Sequence, residues 1–176
     1  MKATGIVRRI DDLGRIVIPK ELRRTMRIRE GDPLEIFTSS DGELIFKKYS
    51  PLGDMAHFSA KYAESLAKAA GISVAVCDRD TVLAASGAGM KELIEKPISS
   101  PVSTFLEKRQ SYAADGTDTL TLTENGGKVS YLSPIITSGD VVGGIMMMQK
   151  NGIAASESER KMINAGALFL SGQMEI

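Results

Sequence analysis

The chain has 176 residues, with 22 Lys or Arg against 22 Asp or Glu, one His, one Cys and no Trp. At 43% apolar and 25% charged residues it is too apolar to be disordered, and its length suits one or two domains. The single Cys77 excludes an intramolecular disulfide framework and a multi-Cys zinc site. The N-terminus lacks the apolar run of a signal peptide and no stretch reaches roughly 18 uncharged apolar residues, so a cytoplasmic protein with no membrane partner is expected.

Zero net charge holds only for the chain as a whole. Residues 1–50 carry eleven Lys or Arg and eight Asp or Glu, which puts that segment at +3 and the remainder at −3. Within residues 1–29 the count is nine to three, or +6, and seven of the nine are Arg, whose planar fork suits phosphates and guanine edges. A basic block at one end of a chain points to nucleic acid or another anionic surface.

In chain order, Thr4–Ile10 reads as a β-branched strand, Asp11-Asp12-Leu13-Gly14 as a turn, and Arg15–Ile18 as a second strand stopped by Pro19. Proline also suits the first turn of the short helix that follows, Lys20–Met26. Gly31-Asp32-Pro33 makes a turn, and Leu34–Phe37 and Glu43–Phe46 flank Ser39-Ser40-Asp41-Gly42 as a hairpin. The order β-β-α-β-β in some fifty residues leaves too little apolar surface to bury alone. With no disulfide or metal set at hand, a second copy of the chain is the expected staple, with strands exchanged between the two. Arg8 and Arg15 lie on strands flanking one turn and Arg23, Arg24 and Arg27 on the short helix after it, and dimerisation doubles this basic block about a two-fold axis, as a surface for straddling duplex DNA.

The stretch TGIVRRIDDLGRIVIPKELRRTMRIREGDPLEIF resembles the AbrB-type swapped-hairpin DNA-binding domain of bacterial transition-state regulators. Its GRIVIPKELRR core keeps the family's order of turn glycine, arginine, strand, proline and arginine-bearing helix. The resemblance covers residues 1 to about 50 and implies double-stranded DNA as partner. It also implies contact through Arg8, Arg15, Arg23 and Arg24, with Arg9 in the place of another basic residue. Antitoxins belong to the same family, and these usually run on into a disordered acidic tail.

Ser50-Pro51-Leu52-Gly53 punctuates a boundary, giving domains 1–50 and 51–176. Beyond it, Asp54–Ala70 has helical periodicity and ends at Gly71. Ile72–Cys77 and Thr81–Ser86 read as a hairpin, Met90–Glu95 as a short helical stretch, and Pro101 to about Arg109 as a helix. Leu120–Leu122, Val129–Thr137 and Val141–Gln149 read as strands, the last two joined through Ser138-Gly139-Asp140, and Glu157–Met174 as a closing helix. The fold class is therefore α+β, an intertwined N-terminal dimer domain followed by an antiparallel sheet with flanking helices. Ser133-Pro134-Ile135-Ile136 before Ser138-Gly139-Asp140 and Val141–Ile145 is similar to a common GAF-domain ending, which implies a sensor and oligomerisation domain. Taken together, the two halves resemble a family of sporulation regulators of spore-forming bacteria. That resemblance implies activation and repression of late forespore genes.

No catalytic residue, metal site or cofactor is expected. His57 has no neighbours in sequence that complete a triad or cluster and reads as a surface histidine, and Cys77 as a buried structural thiol. Gly143-Gly144 reads as close packing within a strand, the run Met146-Met147-Met148 as core, and Gly87-Ala88-Gly89 as a loop without phosphate-loop spacing. A small-molecule ligand is implied by the GAF resemblance alone, and no pattern assigns its binding residues. Ala63, Ala67, Ala165, Gly166 and Gly172 permit close approach of the first and last helices of residues 51–176. Those helices are expected to join two dimers into a tetramer. Among function classes, an enzyme lacks a nucleophile–base pair and a cofactor fingerprint. An antitoxin-type DNA-binding partner protein is the alternative to a transcriptional regulator.

Overall fold

A computed structural model describes residues 4–175, which divide into two units, one up to Tyr49 and one from Ser50. Lys2, counted in the basic block, lies outside the described residues.

In the first unit the turn forms as its residues dictate. The Asp11 N–H donates to the Arg15 carbonyl, the Gly14 N–H returns to the Asp11 carbonyl, both at 3.0 Å, and Gly14 takes a φ of 75° that few other residues would accept. Thr4–Ile10 and Arg15–Ile18 are extended but are not strands within one chain. A ladder needs a partner for every second backbone group, and among the described residues these segments find none beyond the turn. Much of their apolar surface is uncovered as well, with Val7 84% and Val17 72% exposed.

Helix α1, Lys20–Thr25, starts behind Pro19 and has no buried residue. It closes with the Ile28 N–H on the Arg23 carbonyl at 2.7 Å and the Arg27 N–H on the Arg24 carbonyl at 3.2 Å. This closure needs a left-handed residue, usually glycine, and here it is Arg27 at φ 52°. The Lys48 ammonium donates to the Arg27 carbonyl at 2.8 Å and lies 3.6 Å from the Asp32 carboxylate, whose side chain is only 3% exposed. That carboxylate also accepts from the Arg29 N–H, so one buried acid fixes the whole segment after α1. Strands β1 (Leu34–Thr38) and β2 (Leu44–Lys48) form the expected hairpin, Ile36 opposite Phe46.

In the second unit, Ser50 to Gly53 does more than punctuate. The Ser50 hydroxyl accepts from the Gly53 N–H and Pro51 occupies the first turn of α2 (Pro51–Asp54), which places Leu52 fully inside. The long helix is correspondingly shorter than expected, α3 at Ala56–Ala70, closed by Gly71 in the left-handed conformation. Strands β3 (Val74–Asp78) and β4 (Val82–Ser86) follow, then a single 3₁₀ turn at Lys91–Leu93 instead of an α-helical stretch, and α4 (Ser100–Glu107). A two-residue strand β5, Tyr112–Ala113, was not legible by periodicity. Strands β6 (Thr121–Thr123), β7 (Gly126–Thr137) and β8 (Asp140–Met148) precede α5 (Glu157–Gly172), which begins with a Ser156–Glu159 capping box.

The sheet runs β4-β3-β8-β7-β5, antiparallel throughout, with β6 on β7. Both faces are covered, so Val74–Cys77 and Ile145–Met148 are apolar at every position and alternate only in destination, whereas β7 carries the buried Ser130 and Ser133. Val74, Val76, Ile145 and Met147 pack in one cluster with Ala63, Ile163 and Leu170 of α3 and α5. Ala75, Cys77, Met146 and Met148 pack in the other with Val102 and Leu106 of α4. Gly143 and Gly144 let the two clusters press closest. A Cβ at Gly143 would meet the Cys77 carbonyl and lie 2.8 Å from Leu52 Cδ2, and one at Gly144 would lie 2.9 Å from Leu106 Cδ2. Among the described residues no helix is long and apolar enough to cross a membrane.

Gly143→Ala is expected to destabilise the protein by about 1–3 kcal/mol through overpacking against a carbonyl that cannot move aside. An unchanged midpoint in urea unfolding would contradict this packing. Cys77 is fully buried, and burial, reinforced by the Asp78 charge, pushes its thiol far above the ordinary range. The native protein should therefore leave a thiol-reactive dye unconsumed until denaturant is added; stoichiometric labelling of the folded chain would refute it.

Candidate nucleic-acid interface

Arg8 and Arg9 stand on the extended segment before the first turn, Arg15 directly after it, and Arg23 and Arg24 on the last turn of α1. All five are exposed. Local sequence sets their directions. The turn at Asp11–Gly14 brings Arg15 back alongside the preceding segment, and Pro19 ends the extended stretch so that α1 carries its arginine pair outward. The Arg8 guanidinium donates to the Val7 carbonyl at 3.3 Å. Arg15 is 70% exposed yet held, its Nε 2.7 Å from Asp11 Oδ2. The Arg15 N–H and guanidinium in turn keep the Asp11 carboxyl below its ordinary value. Among the described residues no carboxylate pairs with Arg8, Arg9, Arg23 or Arg24.

Beside these cations lies an open apolar cleft of about 300 Å³, lined by Ile6, Ile16, Ile18, Leu22, Ile28 and Phe46, with Arg8 at its edge. One surface of the first unit thus combines fixed positive charge with uncovered apolar area. Such a surface can neutralise phosphates through its forks and bury a second apolar chain in its cleft.

In the second unit, the expected residues for helix contacts divide into two groups. Ala63, Ala67 and Gly166 are used inside the unit, Gly166 because a Cβ there would lie 2.9 Å from Ile145 Cδ1 and 3.1 Å from the Tyr62 ring. Helices α3 and α5 lie together through Phe58, Tyr62 and Phe169, with ring centroids 5.8 Å and 5.0 Å from Phe169. Ala165 and Gly172 remain outward, and with Leu168 at 75% and Phe169 at 43% exposed they form a stripe at i, i+3, i+4 and i+7. Leu168 and Phe169 were missed at the sequence level, although that spacing was their signal.

Beside the cluster against α4, the buried hydroxyls of Ser99 and Thr123 are both engaged. Ser99 donates to the Thr121 carbonyl at 2.6 Å and Thr123 to the Gly126 carbonyl at 3.1 Å, and their buried neighbours are apolar. Gly87, at φ 128°, is required by packing, since a Cβ there would lie 2.6 Å from Ser73 Cβ. His57 is exposed on α3, and among the described residues no group of three or more His, Cys, Asp or Glu could hold a metal ion.

Comparison with known proteins bears on both units. Residues 54–175 match the family described as stage V sporulation protein T C-terminal, transcription factor, and residues 7–54 the family described as antidote-toxin recognition MazE, bacterial antitoxin. Stage V sporulation protein T of Bacillus subtilis is 46% identical over 179 residues, covering 99% of each chain. The transition state regulatory protein AbrB of the same organism is 61% identical over 51 residues, 29% of this chain and 52% of that one. Among solved structures, the second GAF domain of DevS from Mycobacterium smegmatis is similar with a TM-score of 0.53, at 15% identity over 71% of this chain and 93% of that one. That likeness shows a GAF-type fold for the second unit.

Proposed function

The chain belongs to the stage V sporulation protein T family of transcription factors, and from that membership we propose that it binds double-stranded DNA selectively and regulates late sporulation genes in the forespore cytoplasm. The observation that carries the reading is the set of exposed arginines, Arg8, Arg9, Arg15, Arg23 and Arg24, next to an apolar arm that one chain leaves uncovered. The protein acts by binding and not by catalysis.

The uncovered arm supports a dimer in which each chain's residues 4–18 complete the other's ladder and fill its cleft. A two-fold axis then places two copies of the arginine set on one side, at a spacing fixed by the protein and read by the duplex. Phosphate neutralisation and counterion release supply most of the affinity. Bendable, A·T-rich sites add preference through shape. The stripe Ala165, Leu168, Phe169 and Gly172 on α5, with Phe58 on α3, supports a second contact that pairs dimers into a tetramer.

Residues 51–176 serve this reading as the oligomerisation and sensor domain. A small molecule regulates DNA binding there only if it prefers one of two conformations, and the α4 face favours an apolar one. The antitoxin reading rests on the match of residues 7–54. It is weaker because the longer match, to the family of transcription factors, covers the folded second unit.

Replacing Arg23 by Ala should weaken binding to different duplexes alike and reduce the log–log salt slope by about one. A titration of the full chain over a salt series reads both, and an unaltered slope would count against the interface. Leu168→Glu is expected to halve the mass seen by light scattering, from tetramer to dimer, with the unfolding midpoint retained. A variant that stays tetrameric would remove the α5 stripe from the assembly.

A further inference from the structure

Of the five arginines, Arg15 alone is ion-paired among the described residues, and the pairing partner sits in the same turn. The two oxygens of Asp11 divide their work. Oδ1 accepts from the Leu13 N–H at 3.0 Å and the Arg15 N–H at 2.8 Å, which shapes the turn. Oδ2 is left for the Arg15 side chain, at 2.7 Å from Nε. A guanidinium gripped at Nε keeps its two terminal nitrogens, Nη1 and Nη2, directed away from the carboxylate. Among the described residues neither has a partner.

For a cation whose task is to neutralise a phosphate, an adjacent carboxylate is a handicap, because it repels the same phosphate. For a fork that must meet two acceptors at once it is an advantage, because it fixes the plane and direction before binding and lowers the ordering cost. The pair of acceptors that matches Nη1 and Nη2 in the major groove is guanine O6 and N7. Resting on the DNA-binding reading above, we infer that Asp11 is a positioning residue that presents Arg15 end-on to a guanine edge. Arg15 then reads sequence, while Arg8, Arg9, Arg23 and Arg24 hold phosphates.

The test compares full-length wild type with Asp11→Asn, Arg15→Lys and Arg23→Ala on two probes. One is a duplex selected by the wild-type protein from a randomised library, and the other is that duplex with its sequence scrambled. Asparagine keeps an acceptor for the turn, since Asx turns accept it readily, but turns an amide toward Nε. Asp11→Asn should lower the ratio of selected to scrambled affinity by about tenfold, within what one bidentate base contact supplies. It should leave scrambled-duplex binding unchanged or stronger, since one negative charge is gone. A purely structural defect would weaken both probes together. Arg15→Lys keeps the charge and loses the fork, so the same drop in ratio is expected with an unchanged salt slope. A preserved ratio in either variant, or an equal loss on both probes, overturns the inference. If wild type and Arg23→Ala show the same weak, salt-insensitive binding, the DNA-binding reading itself falls.

Discussion

The first fifty residues carry more apolar surface than they can bury within one chain. Val7 and Val17 stand in water, the extended segments beside the Asp11–Gly14 turn lack a ladder, and the cleft around Leu22 and Phe46 is open. A segment of this kind is stable only with its surface covered, so folding and association become one event. The same requirement sets the symmetry: a two-fold pair, and with it a duplicated set of arginines. Stability and recognition thus share one cause in this unit.

The second unit meets the opposite condition. Its sheet is covered on both faces, and β3 and β8 are apolar through their central residues. The pair Gly143-Gly144 takes the closest contacts, Leu52 on one side and Leu106 on the other. A domain closed in this way is a firm base for assembly. Its outward apolar stripe on α5 then stands out as a run of neighbouring residues, with Leu168 75% and Phe169 43% exposed. The charge asymmetry of the chain follows the same division, basic up to residue 50 and acidic beyond it.

Turns, caps and central strands were legible in the sequence because their causes are local. Gly14 and Gly71 each act within a few residues, and β3 and β8 show as apolar runs. The arginines of the proposed interface follow a local order too, of turn, strand, proline and helix, and all five are exposed. What failed was whatever depends on partners distant in sequence. Ser50–Gly53 reads as a spacer because the burial of Leu52 is decided by Gly143, ninety-odd residues later. Tyr112–Ala113 is too short for any period to show. Small residues at Ala63, Ala67 and Gly166 promised a contact between chains, and the unit's own aromatic rings and sheet took them instead.

Three consecutive methionines occupy the middle of the protein, and the pleat sends Met147 to one cluster and Met146 and Met148 to the other. All three thioethers are shielded from solvent. An oxidant reaches them only when β8 leaves its neighbours, and a sulfoxide there is too polar for either cluster to take back. Sulfoxide at these positions would therefore accumulate at the pace of sheet opening. The strand keeps a chemical record of how often the domain has breathed.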